Sequence, residues 1–207
     1  MTDHAERRVS LPDPALPDVQ LSTALAERRS RRSFTDEAVS LEAIASLCWA
    51  AQGVTDDEDG FRSAPSAGAT YPIELSVVID EGAVPELSPG IYAFRPDAAA
   101  LALRTAGSVS SDLRSASHDQ AWATGSGVSL AVSAVPQRTE AQYGSRGSDR
   151  YVPMEAGHVG QNVYLAAEAL GLGTVCVGAF DDEAVGTALD LPDDQVPLAI
   201  YPVGHLA

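Results

Sequence analysis

An unusual concentration of arginine marks the part of this chain that is best suited to chemistry. Two arginine pairs stand within five consecutive positions, with serines between and after them: Arg28, Arg29, Ser30, Arg31, Arg32 and Ser33. Guanidinium groups are permanently charged planar forks that match phosphate oxygens, and serine hydroxyls add hydrogen-bond donors. The segment therefore predicts a site for a phosphate monoester. A solvated basic face, paired with Glu27, Asp36 and Glu37, remains the alternative.

The rest of the chain is strongly acidic. It has 29 Asp and Glu residues against 13 basic residues, every one of them arginine, and a formal net charge of −16. The field of such a protein repels phosphate, which argues against nucleic acid or an anionic membrane as a partner. A lysine-free acidic surface suits a salt-rich cytosol, where screening makes self-repulsion tolerable, and predicts a halophilic source. A GC-rich genome that replaces lysine by arginine is the alternative, and stability measured against salt concentration distinguishes the two.

A second segment, residues 62–72, consists mostly of small residues and contains Pro65 and Pro72. Small residues such as Ala67, Gly68 and Ala69 let backbone N–H and C=O groups approach a flat ligand closely, and proline stiffens the chain. The segment is therefore suited to lie against an aromatic ring system. An ordinary surface turn is the alternative.

Hydrophobic periodicity and turn residues predict the elements that must hold these segments. Helices are expected over residues 21–26, 40–53, 153–170 and 181–189. Strands are expected over residues 73–80, 90–96, 100–104, 128–135, 174–180 and 197–203. Because helices and strands are interspersed without a βαβ rhythm, the prediction is an α+β layered fold. Residues 1–18, with three prolines, are expected to form an extended arm, and residues 19–207 a single domain.

Other patterns in the chain give weaker evidence of a functional site. Cys48 and Cys176 stand in apolar runs, where a thiol packs as a small hydrophobic group, and they make neither a disulfide framework nor a metal site. Glu155 and His158 form a Glu-x-x-His pair, but a di-iron site needs a second such pair, so no metal is expected. We expect His158 to hydrogen-bond a helix or loop instead. The chain has no apolar run of bilayer length and no signal sequence, which predicts a cytoplasmic protein.

Three segments together resemble the nitroreductase superfamily, most closely its SagB-type dehydrogenase branch. The first is Arg-Arg-Ser-Arg-Arg-Ser-Phe from residue 28, and the second is Pro-Ser-Ala-Gly-Ala-Thr-Tyr-Pro from residue 65. The third covers residues 143–162: Tyr-Gly-Ser-Arg-Gly, then Arg-Tyr, then Glu-Ala-Gly-His-Val-Gly-Gln-Asn. The resemblance extends over residues 20–205.

The resemblance implies a flavoprotein that binds FMN. In such a protein Arg28, Ser30 and Arg32 would grip the FMN phosphate, with Arg29 along the ribityl chain and Arg31 pointing away. The loop would reach across a dimer to the flavin ring through five residues: Pro65, Ser66, Ala67, Gly68 and Ala69. Gly178 and Ala179 would lie beside the ring, and His205 would approach the phosphate. Trp122 and Tyr164 are expected in the core or an interface.

The implied fold is the nitroreductase sandwich, which is α+β, with a mixed, mainly antiparallel sheet flanked by helices, assembled as an interlocked homodimer. The implied activity is that of an oxidoreductase in which flavin N5 passes hydride or electrons between a donor such as NAD(P)H and a small organic acceptor. Tyr71, Tyr143 and Arg146 would lie on the substrate side, and no acid–base catalyst is assigned. Branch members that oxidise azoline rings in modified peptides use a Lys–Tyr pair, and this chain has no lysine. A non-catalytic flavin-binding or scaffold protein is the alternative.

Overall fold

The computed structural model of the chain describes residues 7–207, where seven strands form one open sheet with helices on both faces. The strands are β1 Arg8–Ser10, β2 Ile73–Ile79, β3 Gly90–Arg95, β4 Ala100–Ala106, β5 Val128–Ala134, β6 Gly173–Thr174 and β7 Val196–Gly204. The helices are α1 Leu21–Glu27, α2 Leu41–Gln52, α3 Ser110–Ala116, α4 Gln137–Tyr143, α5 Val152–Ala169 and α6 Asp182–Ala188. The sheet order is β1-β4-β3-β2-β5-β7-β6, and every strand pair is antiparallel.

The two faces of the sheet pack against different helices. Side chains alternate between the faces of a strand, so Val77 of β2 belongs to one core and its neighbour Val78 to the other. The larger core lies under α2 and α5, with Leu47 and Val163 fully buried in it. The smaller core lies under α3 and α6. This arrangement confirms the predicted α+β class and places α5 against the sheet, where it supports the segments described below.

All four predicted helices are present, and two of them begin at a side-chain cap that the sequence indicates. The Ser40 hydroxyl accepts a hydrogen bond from the backbone N–H of Ala43 at 3.2 Å, which begins α2, and the helix ends before Gly53. The Asp181 carboxylate accepts from the N–H of Ala184 at 2.8 Å and begins α6 in the same way. One π-helical turn, Gly147–Tyr151, leads into α5.

The strand predicted over residues 174–180 is wrong beyond Thr174. Thr174 pairs with Val203 of β7, and a bridge joins Val177 to Ile200 in the same register, but the ladder between them is broken. At the position opposite Val175, Pro202 has no N–H to donate, while the N–H of Cys176 points away from β7 and donates to the Tyr164 hydroxyl at 2.8 Å. The regular ladder therefore stops after Thr174, and Cys176 is exposed, contrary to the prediction that it packs in the core. Cys48 is buried as predicted, and burial raises the pKa of its thiol.

The N-terminal segment predicted to be an extended arm is extended over Arg8–Ser10 but pairs there with β4 as an edge strand. Residues 1–6 of that segment lie outside the described residues. Helices α3 and α4 were not predicted from the sequence. Among residues 7–207, no helix is both long and apolar enough to cross a bilayer.

Candidate functional site

The arginine-rich segment leaves α1 as extended chain and runs beside the broken end of the sheet. Arg28 ends α1 with φ −50° and ψ 125°, Ser30 forms a parallel bridge with Thr174, and the N–H of Arg31 donates to the Thr174 carbonyl at 2.8 Å. Side chains alternate along extended chain, which places Arg28, Ser30 and Arg32 on one side. This bridge is the single parallel pairing among the described residues, so the sheet is antiparallel except at this point.

Tyr164 of α5 connects the arginine-rich segment to the chain after β6. Its hydroxyl lies 2.9 Å from the Ser30 hydroxyl and accepts the hydrogen bond from Cys176, and the Arg28 guanidinium lies 5.1 Å from its ring centroid. Sequence analysis placed Tyr164 in a core or interface and did not connect it with the arginines. Its single hydroxyl orders two backbone segments that meet at this site.

Arg32 and the predicted ring-edge residues are joined through the short helical turn Ala121–Ala123. The Arg32 guanidinium lies 5.7 Å from the Trp122 ring centroid, and the Gln120 amide donates to the Ala179 carbonyl at 2.7 Å. Gly178 and Ala179 are exposed, and a Cβ added to Gly178 would meet no atom within 4 Å. The backbone of these two residues is therefore accessible to a ligand.

His205 directly follows β7 and pairs with the chain just after the arginine-rich segment. Its carbonyl accepts a hydrogen bond from the N–H of Thr35 at 2.9 Å, and its Nδ1 lies 4.0 Å from the Glu37 carboxylate. The His205 side chain is one-third exposed. An imidazole that is exposed and close to a carboxylate can donate a hydrogen bond to an anion.

The arginines are available to an anion. Within residues 7–207, no carboxylate comes within salt-bridge distance of Arg28 or Arg32, which argues against the basic face paired with acidic neighbours. Two buried polar atoms beside them, Nε of Arg31 and Oγ1 of Thr174, find no hydrogen-bond partner in that range either. Arg29 differs, because its guanidinium donates back to the carbonyls of Ala26 and Glu27 at the end of α1. The donor set fits a phosphate monoester.

The loop of small residues has a strained backbone. Gly68, Ala69 and Tyr71 have positive φ angles of 59°, 54° and 42°, a region that residues other than glycine rarely adopt. The Ser66 hydroxyl accepts a hydrogen bond from the N–H of Tyr71 at 2.9 Å and closes the loop. Strain of this kind persists only where surrounding contacts fix it, and it clusters at ligand sites.

Residues of α5 fix the loop from below. Nδ1 of His158 lies 3.2 Å from the Pro65 carbonyl, which confirms the expected hydrogen bond to a loop. The Glu155 carboxyl is buried under the loop, and burial raises its pKa, while a hydrogen bond from Ser66 and the charges of Arg62 and His158 oppose that rise. The loop is thus anchored to a buried acid, whose contact with the loop was not predicted from the Glu-x-x-His pattern.

The family of this chain follows from its similarity to known proteins. The sequence model of the Nitroreductase family matches residues 25–205, which include the arginine-rich segment, the loop and α5. The chain belongs to the nitroreductase family. Because this family comprises oxidoreductases, the predicted enzyme class is supported at that level.

Similar proteins agree with this assignment. A nitroreductase-like protein of Methanocaldococcus jannaschii, MJ1384, is 39% identical over 197 residues, which cover 95% of this chain and 96% of that one. The crystal structure of a nitroreductase-like protein of Ralstonia eutropha superposes with a TM-score of 0.79 at 26% identity, covering 98% and 90% of the two chains. A chain of the E. coli microcin synthetase McbBCD complex has the same fold, with a TM-score of 0.72 at 23% identity, covering 96% and 78%. The nitroreductase-like sandwich predicted from the sequence is confirmed.

Of the residues assigned to the substrate side of this nitroreductase, two touch the loop region. A Cβ added to Gly68 would lie 2.6 Å from the Tyr143 hydroxyl, and the Tyr71 ring faces the Arg62 guanidinium at 4.6 Å. Arg146 instead donates to the Tyr151 hydroxyl at 3.0 Å on the exposed side of the π-helical turn. Tyr71 and Tyr143 thus share the loop region, whereas Arg146 contacts neither.

Within one chain the two halves of the predicted site stand apart along α5. Pro65 contacts α5 at His158, and Ser30 contacts it at Tyr164, six residues later, or about 9 Å along a helix. Ser63, at the start of the loop segment, accepts a hydrogen bond from Asn162 between them. The structure brings Arg28 and Ser30 to Tyr164 in the C-terminal half of α5, while Arg32 contacts Trp122 in the same short turn region that binds Ala179. It holds residues 65–69 beside the N-terminal half.

Proposed function

We propose that this nitroreductase-family protein is an FMN-dependent oxidoreductase that passes hydride or electrons between a donor such as NAD(P)H and a small organic acceptor. One observation carries the proposal. The extended segment has two arginines without ion-pair partners in the described chain, Arg28 and Arg32, with the Ser30 hydroxyl between them. The backbone of Gly178 is open to a ligand. A phosphate group joined to a flat ring fits that arrangement of charge and exposed backbone.

The residues would divide the work of binding. Arg28, Ser30 and Arg32 would hold the phosphate, with His205 as a further donor, and the backbone of Gly178 and Ala179 would lie along the ring edge. FMN, when bound, supplies the hydride and electron transfer, while the protein supplies position and electrostatics. Arg29 folds back on α1, so its approach to the ribityl chain requires a rotation of that side chain.

We propose that the site is completed in a homodimer. The loop would cover the flavin of the partner subunit, because in its own chain it contacts α5 at a different position from the arginines. The residues concerned are Pro65, Ser66, Ala67, Gly68 and Ala69. Large apolar side chains near α5 support this assembly: Leu21, Leu25 and Met154 are 66%, 53% and 53% exposed. Exposed apolar surface of this kind is typical of interaction sites.

Gly157 of α5 tests the dimer. It is an exposed residue of α5, and a Cβ added to it would meet no atom of its own chain within 4 Å. A Cβ added to Gly186 in α6 would likewise meet no atom within 4 Å. In a monomer, Gly157→Ala and Gly186→Ala should each stabilise by up to about 1 kcal/mol through helix propensity. If Gly157 packs against a partner, Gly157→Ala instead weakens the dimer in sedimentation equilibrium while Gly186→Ala does not. Equal stabilisation of a monomeric protein by both changes contradicts the proposal.

We place the chain in the SagB-type branch because the segments at 65–72 and 143–162 have the form of that branch. Tyr71, Tyr143 and Arg146 would lie on the substrate side. Since the chain has no lysine, the Lys–Tyr pair of azoline-oxidising members is absent. We therefore favour a quinone, a nitro compound or an oxidisable small metabolite over an azoline-containing peptide.

Spectroscopy of the purified protein tests the proposal directly. The protein should bind FMN in 1:1 ratio per chain, and anaerobic NADH or NADPH should bleach the flavin absorption, which a quinone or nitro compound then restores. A protein that cannot be reconstituted with FMN contradicts the cofactor assignment. A protein that binds FMN but is reduced by neither nucleotide nor by a range of small organic donors would be the non-catalytic alternative.

A further inference from the structure

The π-helical turn that leads into α5 has two arginines without an acidic partner. Arg146 and Arg150 are exposed, and within residues 7–207 no carboxylate lies within salt-bridge distance of either. Asp149, the only acid of that turn, pairs with neither. The backbone is helical from Arg146 through the turn, so the two arginines stand four positions apart on one helix. Like charges at this spacing repel each other, and an anion bound between them would offset the repulsion.

Two tyrosine rings lie beside these arginines. The Nε of Arg146 donates to the Tyr151 hydroxyl at 3.0 Å, and the Arg146 guanidinium lies 5.8 Å from the centroid of that ring. The Tyr151 ring meets the Tyr143 ring edge to face, with 5.0 Å between the centroids. Both rings are half-buried. Permanent cations next to partly exposed aromatic rings suit a ligand that combines an anionic group with a flat ring, and π-helical turns are frequent at functional sites.

Tyr143, Arg146, Arg150 and Tyr151 form what we call the arginine–tyrosine surface, and this surface adjoins the loop of small residues. A Cβ added to Gly68 would lie 2.6 Å from the Tyr143 hydroxyl, so that hydroxyl packs directly on the loop backbone. The proposed function places this loop over the flavin of the partner subunit, where the nicotinamide ring of a donor would stack. The rest of a dinucleotide donor extends away from the flavin and would reach the arginine–tyrosine surface.

The chemistry of the arginine–tyrosine surface favours one of the two nicotinamide donors. Neighbouring guanidinium groups match a phosphate monoester, which carries about two negative charges at neutral pH. NADPH differs from NADH by one such monoester, on the 2′ oxygen of an adenosine whose adenine is a flat ring. We propose that the arginine–tyrosine surface binds the adenosine 2′-phosphate of NADPH, which makes NADPH the preferred donor. The inference rests on the proposed flavin-dependent function and specifies its hydride donor. The hydride passes from nicotinamide to flavin N5 and leaves NADP⁺, while the 2′-phosphate is unchanged.

Calorimetric titration of the FMN-saturated protein with NADP⁺ and NAD⁺ tests the inference, because the oxidised nucleotides bind without transferring a hydride. NADP⁺ should bind at least about tenfold more tightly than NAD⁺, and added salt should reduce this difference because the arginines are exposed. Arg150→Gln should weaken NADP⁺ binding about tenfold and NAD⁺ binding by less than about twofold. Arg150→Lys, which keeps the charge, should restore part of the loss.

Two controls accompany these variants. The Arg150 side chain forms no hydrogen bond, ion pair or ring contact within residues 7–207, so the urea unfolding of Arg150→Gln should match that of the wild type. Arg114→Gln removes an exposed arginine of α3 and should leave the affinities for both nucleotides unchanged. Equal weakening of NADP⁺ and NAD⁺ by Arg150→Gln overturns the inference, because the residue would then contact a part that the two nucleotides share.

A fragment of the donor separates this inference from the proposed function. Adenosine 2′-monophosphate is titrated into the FMN-free double variant Arg28→Gln, Arg32→Gln, in which the proposed FMN phosphate site is neutralised. Binding should be saturable, tighter than that of adenosine or inorganic phosphate, and lost when Arg150→Gln is added. Absence of such binding overturns the inference whether or not the protein uses FMN. Reduction of bound FMN by NADH and NADPH at equal rates also overturns it and leaves the proposed function intact, whereas a protein that does not bind FMN contradicts the proposed function instead.

Discussion

The two halves of α5 support the proposed flavin site in different ways. At Tyr164 the helix meets a segment whose contribution is charge: Arg28 and Ser30 are held on one side of extended chain by ring and hydroxyl contacts. At His158 and Glu155 the helix contacts a loop that contributes its backbone. Contacts hold that backbone at positive φ angles that residues other than glycine rarely adopt. In the proposed site, one half would bind the phosphate through charged side chains, and the other would cover the ring through its backbone.

This difference determines how each half should respond to mutation. Charged donors act through individual side chains, so removing one side chain removes its interaction and leaves the backbone in place. A strained loop acts as a unit, because several contacts together fix φ angles that no single residue favours. Mutations in the arginine-rich segment should therefore weaken FMN binding without reducing stability. Mutations in the loop should reduce both FMN binding and stability.

The largest expected effect is on FMN affinity when the charged half is neutralised. The double variant Arg28→Gln, Arg32→Gln should bind FMN about 100-fold more weakly, since each charge-assisted hydrogen bond to phosphate contributes about 1.5 kcal/mol. Its unfolding by urea should be nearly unchanged. Fluorescence titration of FMN measures the affinity, with Arg114→Gln as the control. A double variant that binds FMN like the wild type would show that the phosphate lies elsewhere.

A smaller effect on FMN affinity, with a clear loss of stability, is expected in the loop. Gly68→Ala places a Cβ 2.5 Å from the Gln142 amide oxygen and 2.6 Å from the Tyr143 hydroxyl, at a φ of 59°. Gly60→Ala has a similar φ of 67° but meets no atom within 4 Å. Urea unfolding should show a loss of about 1 kcal/mol for Gly60→Ala and about 2–3 kcal/mol for Gly68→Ala. FMN affinity should fall about tenfold in Gly68→Ala alone, and equal behaviour of the two variants would contradict a fixed loop.

A third variant removes the hydroxyl that joins the two backbone segments. Tyr164→Phe loses the contact with Ser30 and leaves the N–H of Cys176 without its acceptor, so FMN affinity should fall about fivefold and stability by about 1 kcal/mol. Tyr92→Phe is the matched control, because its hydroxyl donates to the Ser88 carbonyl at 2.7 Å far from the site. The control should lose similar stability and no FMN affinity. Loss of affinity in both would indicate a general effect of destabilisation.

The charged half was easier to predict from the sequence than the loop half. The residue types at positions 28, 30 and 32 by themselves indicate anion binding. Their alternate spacing places Arg28, Ser30 and Arg32 on one side of any extended chain. The helix starts at Ser40 and Asp181 were predicted for the same reason, because a cap depends on neighbours three positions away. Local signals of this kind require no knowledge of the fold.

Features that depend on distant contacts were missed. Tyr164 meets Ser30 across 134 positions, and nothing local to either residue indicates the pair. The strand expected after Thr174 failed because Pro202, in the distant strand β7, removes a donor from its ladder.

The smallest expected effect concerns the acid beneath the loop, and it is a dependence on pH. Burial raises the pKa of Glu155 above its value of 4.5 in the unfolded chain, so the folded state binds the proton more tightly. The unfolding free energy should therefore fall as pH rises from about 4.5 through the raised pKa, and remain lower above it. Glu155→Gln cannot ionise and should lack this decline, so its stability relative to the wild type should increase over that range. Urea unfolding from pH 4 to pH 8 measures the difference, with the exposed carboxylate change Glu58→Gln as the control for net charge. Parallel pH profiles for wild type and Glu155→Gln would mean that Ser66, Arg62 and His158 fully compensate the burial of Glu155, so that its carboxyl ionises in the folded protein as it does in the unfolded chain.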